Sequence, residues 1–370
     1  MTAPARLPMR SLLQVFLPLL LLFFLFGCGS PNDPTDEGEG YTLISTYKTR
    51  GHARDVAVDG NTIYVSENNY GISRMDVSNP ANPVVTDHYI TPQAPRLLRV
   101  APWNNLLIAV YSDGLQGFLL GDTLGTDRLV FGSGSVYDLE LFPDTLTTLS
   151  LWDNQQHFTE GTRALRCDLN DGMHATYVFP DSGKLTSGER DTLKHFSVID
   201  PFEIDLYGNG VRAVCSIDGY HLVGVAAGDN GIAIAEMDEG VDSDCGRWLS
   251  DIDTPGDARE LVHHDGYLYV ADMIGGLAII DIRTPTNPQY VTSWKPSGLD
   301  HARNIEVDDN RLALVDEYDG VYFLDISVPS KPVLKAHFDI REVNSVRFLE
   351  DGTAIVASNK EGLSFLRLDF

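Results

Sequence analysis

Residues 320–332 read Gly320-Val-Tyr-Phe-Leu-Asp325-Ile-Ser-Val-Pro329-Ser-Lys-Pro332. Two other stretches follow the same pattern: Gly276-Leu-Ala-Ile-Ile-Asp281-Ile-Arg-Thr-Pro285-Thr-Asn-Pro288 and Gly71-Ile-Ser-Arg-Met-Asp76-Val-Ser-Asn-Pro80-Ala-Asn-Pro83. A partial fourth copy, Gly362-Leu-Ser-Phe-Leu-Arg-Leu-Asp369-Phe370, ends the sequence. A strand-bearing unit that recurs about every forty-odd residues predicts sheets arrayed around an axis.

Around each copy the sequence supplies further strands. In Ala53-Arg-Asp-Val-Ala-Val58, Val56 and Val58 alternate with Ala57, and after a tight turn Ile63 and Val65 alternate with Tyr64. That period of two marks half-buried strands. Gly60-Asn61, Asp218-Gly219, Asp265-Gly266 and Asp309-Asn310 stand where two-residue hairpins need positive φ. The fold expected is all-β: a single β-propeller of seven four-stranded blades, with units near 51–92, 93–132, 133–180, 210–255, 256–298, 299–340 and 341–370. Units two and three are degenerate, so six or eight blades stay open. The last unit lacks one strand, and Tyr41-Thr-Leu-Ile-Ser-Thr-Tyr47 has no blade of its own. Pairing the two would close the ring and remove an exposed sheet edge.

Residues 1–28 read as a targeting segment, with Arg6 and Arg10 ahead of an apolar run from Leu12 to Phe26, shorter than a membrane span. Residues 29–40 hold no core-forming side chain and read as a flexible acidic tether, leaving 41–370 for the propeller. The 370-residue chain carries 53 acids against 27 lysines and arginines, a net charge of −26. Such a field excludes nucleic acid and anionic lipid surfaces as partners. Cys167–Cys215 and Cys215–Cys245 are both conceivable disulfides in an exported protein.

The quoted repeats resemble those of the LVIVD-repeat bacterial β-propellers, clearly in units one, five, six and seven and moderately in unit four. That resemblance implies a propeller and no shared reaction. Leu25-Phe-Gly-Cys28 resembles the lipobox of bacterial lipoproteins, which implies lipidation at Cys28, and Gly29 after it implies the outer membrane or cell surface.

One position is functionally suggestive. The residue opening the first strand of a unit is Arg54, Arg96, Arg212, Arg259 and Arg303 in units one, two, four, five and six, and Tyr137 and Asn344 in units three and seven. A register shift in unit two would substitute Arg99. First strands surround the channel, so five guanidiniums converge on one mouth. His52 and His301, two residues before their arginines, could join them. Hairpin counting offers a structural alternative: it sets Arg54 opposite Glu67, Arg259 opposite Asp272 and Arg303 opposite Asp316, as cross-strand ion pairs. The same count sets Arg212 opposite Val225, with no acid. Unpaired arginines at a mouth suit a carboxylate, phosphate or sulfate.

Asp76, Asp281 and Asp325 read as turn locks for the Pro-x-x-Pro loops that follow them. The tryptophans read as blade packing. The insertion at 181–209 reads either as a lid or docking element or as an added strand on unit three, whose outer strand is expected at 173–179. No nucleophile elbow, P-loop, dinucleotide fingerprint or His-Glu-x-x-His occurs. No catalytic residue, metal ligand or cofactor is therefore assigned. The expectation is a lipid-anchored envelope module that binds a protein, glycan or small anion. The alternative is a metal-dependent hydrolase or lyase using Asp55, Asp138, Glu260, Asn304 or Asn344 in the channel.

Overall fold

The glycine that opens each repeat has a geometric cause. Gly71, Gly276, Gly320 and Gly362 have φ of 97°, 79°, 100° and 81°, which side-chain-bearing residues avoid. A Cβ at Gly276 would lie 2.6 Å from the Trp294 carbonyl oxygen, and one at Gly320 would strike that of Phe338. The third strand of a sheet thus starts pressed against the end of the fourth, and only glycine fits.

The computed structural model describes residues 40–90, 95–101, 106–111, 114–119, 129–131, 136–144, 149–151, 154–156, 161–168, 172–178, 196–197, 212–219, 221–237 and 246–370. The targeting segment, Cys28 and nearly all of the tether lie outside these residues, as do the side chains of Tyr137, Asp138, Cys167 and Cys245. Cys215 is buried. Among the described residues no helix is long and apolar enough to cross a membrane.

The described strands form seven four-stranded antiparallel sheets and one two-stranded ribbon. Sheet one is Ala53–Asp59, Thr62–Glu67, Gly71–Asp76 and Val84–Tyr89. Sheet two is Leu97–Ala101, Leu106–Tyr111, Gly114–Leu119 and Leu129–Phe131. Sheet four is Ala213–Asp218, Leu222–Ala226, Ile232–Met237 and Gly246–Ile252. Sheet five is Glu260–His264, Tyr267–Ala271, Leu277–Asp281 and Gln289–Trp294. Sheet six is Ala302–Asp308, Arg311–Asp316, Gly320–Asp325 and Val333–Phe338.

Sheet three departs from the repeat pattern. Its strands are Val136–Asp144, Gly161–Asp168, Gly172–Val178 and Phe196–Ser197, and the ribbon Leu149–Leu151 with Asn154–Gln156 falls between the first two. Gly172–Val178 is therefore the third strand, not the outermost one expected at 173–179. The fourth strand, Phe196–Ser197, comes from within 181–209 and pairs with Thr176 and Tyr177.

Sheet seven is Val343–Phe348, Ala354–Ser358, Gly362–Leu368 and, from the other end of the chain, Tyr41–Tyr47. Tyr41 pairs with Leu368 and Tyr47 with Leu363. The first strand of each sheet touches the first strand of the next, and sheet seven returns to sheet one. This is a β-propeller, as the repeats predict.

The core lies between successive sheets. Ala53, Val56, Val65 and Met75 of sheet one pack against Ile355, Ala357, Leu363 and Phe365 of sheet seven. Phe323 and Val315 of sheet six pack against Val346, Val356 and Leu366 of sheet seven. Trp294 meets the Tyr322 ring edge-on at 5.6 Å, a packing role as expected. The hairpin positions behave similarly: Gly60, Gly219, Asp265, Gly266 and Asp309 all have positive φ.

Candidate functional site

The start of each first strand decides what the mouth contains. Hairpin counting assumes an unbroken ladder, and the ladder is broken. Ala53 pairs with Glu67 and Asp55 with Ser66, so Arg54 is the extra residue of a β-bulge. Ala302 pairs with Asp316 and Asn304 with Val315, which leaves Arg303 in the same place, and Asn344 takes it in sheet seven. A bulge re-aims the side chain it carries. In sheets two, four and five the arginine precedes the strand: Arg96, Arg212 and Arg259 donate their backbone N–H to Val110, Ala226 and Ala271 at 2.6, 2.8 and 2.8 Å. Val225 is opposed by Val214, not by Arg212, because the Asp218–Leu222 loop is longer than two residues and the register shifts near Ser216.

The acids expected to neutralise three of these arginines are occupied elsewhere. Glu67, Asp272 and Asp316 are 2 %, 0 % and 1 % exposed. Glu67 accepts the backbone N–H of Arg50 and Gly51 at 2.7 and 3.1 Å, and the hydroxyl of Ser73. Asp272 accepts the Thr254 hydroxyl and the Gly256 N–H, both at 2.7 Å. Asp316 accepts four N–H groups, from Asp300, His301, Tyr318 and Asp319, at 2.8–3.0 Å. Each carboxylate locks the loop that delivers its arginine. The expected cross-strand ion pairs are thereby corrected: the loops take the acids and the guanidiniums turn to the channel.

Arg54, Arg96, Arg212, Arg259 and Arg303 all line one cavity of about 580 Å³. Arg96, not Arg99, holds the mouth position; Arg99 is one of two arginines that reach Asp55, at 3.5 Å. His52 and His301 are not among the lining residues; both are exposed, and His301 meets Tyr318 edge-on at 4.8 Å. Arg347, Ser345, Glu317 and Asn359 also line the cavity and were not foreseen. Counting three residues on from Arg96 and Asn344 would have found Arg99 and Arg347 as a second tier.

Below the mouth, charges are matched. Arg347 lies 3.4 Å from both Asp55 and Glu306 with 11 % of its side chain exposed. Burial pushes the Glu306 carboxyl above its usual range, opposed by Arg347. Asp55 also accepts the Leu98 N–H at 2.9 Å, from sheet one to sheet two. Asn304 repeats that role from sheet six to seven, accepting the Val346 N–H at 3.1 Å and donating to Glu260 Oε2 at 2.6 Å. Asn344 donates to the Ala53 carbonyl at 2.7 Å, across the ring closure. The channel-facing set considered for a cation, apart from Asp138, thus joins neighbouring sheets. Among the described residues no group of three His, Cys, Asp or Glu is placed to hold a metal.

The repeat aspartates are turn locks. Asp76, Asp281 and Asp325 accept the N–H two residues on, from Ser78, Arg283 and Ser327, at 2.9, 3.0 and 3.0 Å. All three carboxyls are held below their ordinary range, chiefly by the Ser78 backbone N–H at Asp76, the Arg283 side chain at Asp281 and the Ser327 side chain at Asp325, with the backbone bonds adding to the last two.

The family model described as "LVIVD repeat" matches residues 50–91, 255–295 and 300–340. These units are LVIVD repeats. Each match covers one sheet together with the arginine loop ahead of it. No curated protein matches the chain in sequence. In structure it is similar to the WD40 β-propeller domain of Doa1, at a TM-score of 0.61 and 15 % identity over 89 % of this chain and 97 % of that one. It is also similar to the computationally designed Ika8 protein, at a TM-score of 0.58 and 10 % identity over 89 % of this chain and 99 % of that one. At such identities the likeness concerns the fold alone.

Proposed function

We propose that this LVIVD-repeat protein is a binding module, a seven-bladed propeller that captures an anionic ligand at one channel mouth. One observation carries the reading. Five arginines from five different sheets line a single cavity, and Glu67, Asp272 and Asp316, the acids across the ladder from three of them, are taken up by the loops, although Arg259 and Arg303 find Asp257 and Glu317 instead. In a chain of net charge −26 the lining holds six arginines against three carboxylates. Guanidiniums in a concave, low-dielectric setting favour carboxylate, phosphate or sulfate through paired charged hydrogen bonds. The lipobox-like Leu25-Phe-Gly-Cys28 supports lipid anchoring in the bacterial cell envelope, at the outer membrane or surface.

Thermal melts with citrate and with sulfate test the mouth. Ligand at a hundredfold excess over Kd adds about 2.7 kcal/mol of stability. The expected result is a rise in Tm that Arg54→Ala and Arg212→Ala each reduce. No rise with any oxyanion sinks the proposal. Fractionation of cells tests the anchor: Cys28→Ala should move the protein from membrane to soluble fractions.

A further inference from the structure

The mouth arginines are not equivalent. Arg259 Nη2 lies 2.5 Å from Asp257 Oδ2, and Arg303 Nη1 lies 3.0 Å from Glu317 Oε2. Arg347 is drawn down to Asp55 and Glu306. Among the described residues the side chains of Arg54 and Arg96 make no ion pair or hydrogen bond. These two stand at the starts of neighbouring first strands, in sheets one and two, which touch.

The next sheet round, sheet seven, adds a third polar group. Ser345 is 3 % exposed and lines the same cavity. Its Oγ is buried and has no hydrogen-bond partner among the described residues. A buried hydroxyl left unbonded is destabilising, and a ligand oxygen would relieve it. Sheets seven, one and two therefore present unsatisfied donors on one side of the cavity. The other side mixes acceptors with cations: Glu260 and Glu317 line it from sheet five and from the end of sheet six's second strand, beside Arg259 and Arg303. A small ion charged on every face would leave the Glu260 and Glu317 acceptors unused. A molecule with a carboxylate at one end and hydroxyls at the other would meet donors and then acceptors in the right order. A cavity of about 580 Å³ is of small-molecule size.

Building on the anion site proposed above, we infer that its ligand is a sugar acid, free or at the end of an acidic glycan, bound off the channel axis. The carboxylate bridges Arg54 and Arg96, one hydroxyl bonds Ser345 Oγ, and others donate to Glu317.

Titration calorimetry on the full chain with D-galacturonate, D-galactose and sulfate tests this. Galacturonate should bind at least about tenfold more tightly than either other probe, because each lacks half of the recognised pattern. Arg54→Lys and Arg96→Lys keep the charge and lose the fork, so each should weaken galacturonate about tenfold. Ser345→Ala should weaken galacturonate and leave sulfate unchanged, while Arg283→Lys, on the far loop of sheet five, should change nothing. Melting curves matching wild type establish that the variants fold. A galacturonate trimer binding more tightly than the monomer assigns the glycan end; equal or weaker binding assigns the free acid. Sulfate binding as tightly as galacturonate, with Ser345→Ala silent, overturns the sugar-acid assignment and leaves the anion site standing. Binding of none of the three overturns both.

Discussion

Asp272 shows how one side chain sets the stability of the mouth. It is fully buried, and burial raises its carboxyl from 3.8 to about 6, against the hydrogen bonds from Thr254 and Gly256. The folded state therefore binds a proton more readily than the unfolded chain. Its favourable contribution is complete below about 3.8 and is lost as pH rises through about 6. Within that window it tilts stability by up to about 1.4 kcal/mol per pH unit. Asp272→Asn should flatten that slope, which melts at half-unit steps from pH 4 to 7 would reveal; an unchanged slope refutes the assignment. The residue pattern made three of the arginines legible, because Ala-Arg recurs at Ala53-Arg54, Ala258-Arg259 and Ala302-Arg303, each ahead of a strand. It did not make the carboxylates legible. Nothing in Asp272 or Asp316 says whether a guanidinium or four N–H groups will occupy it.

Strands and turns were readable wherever apolar alternation met a Gly or Asp hairpin, as in Ala53–Glu67 and Ala302–Asp316. Register at the mouth was not, since a bulge inserts a residue without a composition of its own. Arg54 and Asn344 occupy the same bulge with unrelated side chains. Unit three escaped for another reason: its fourth strand is two residues long and lies far along the chain from the third. Joins between sheets were equally hidden, because they depend on one polar side chain at each start. Asn304 makes two of these inter-sheet bonds. Asn304→Ala should cost about 2 kcal/mol, through the lost donor to Glu260 and the stranded Val346 N–H. In urea the midpoint should fall with the m-value unchanged; no fall in midpoint would show that the sheets are held by apolar packing alone.

At the scale of the molecule, closure was the most legible feature, since an incomplete last unit and an orphan first strand imply each other. A chain starting at residue 48 would leave Gly362–Leu368 as a bare edge and expose Phe365, which is fully buried. Such a variant should lose its cooperative melt and run as aggregate in gel filtration; a monomer with the native melt would show that closure is dispensable. The ladder also has a direction. Tyr41 pairs at the Leu368 end of its partner, and Tyr47 at the Leu363 end, nearer Ser358, Val343 and the arginine mouth. The chain enters this seam at Tyr41, on the outermost strand and at the end of the ladder away from the opening. A pull on the backbone at Tyr41 is therefore felt first by the seam of Tyr41–Tyr47 with Gly362–Leu368, and a strong enough tug would peel the ring open before it disturbed any other sheet.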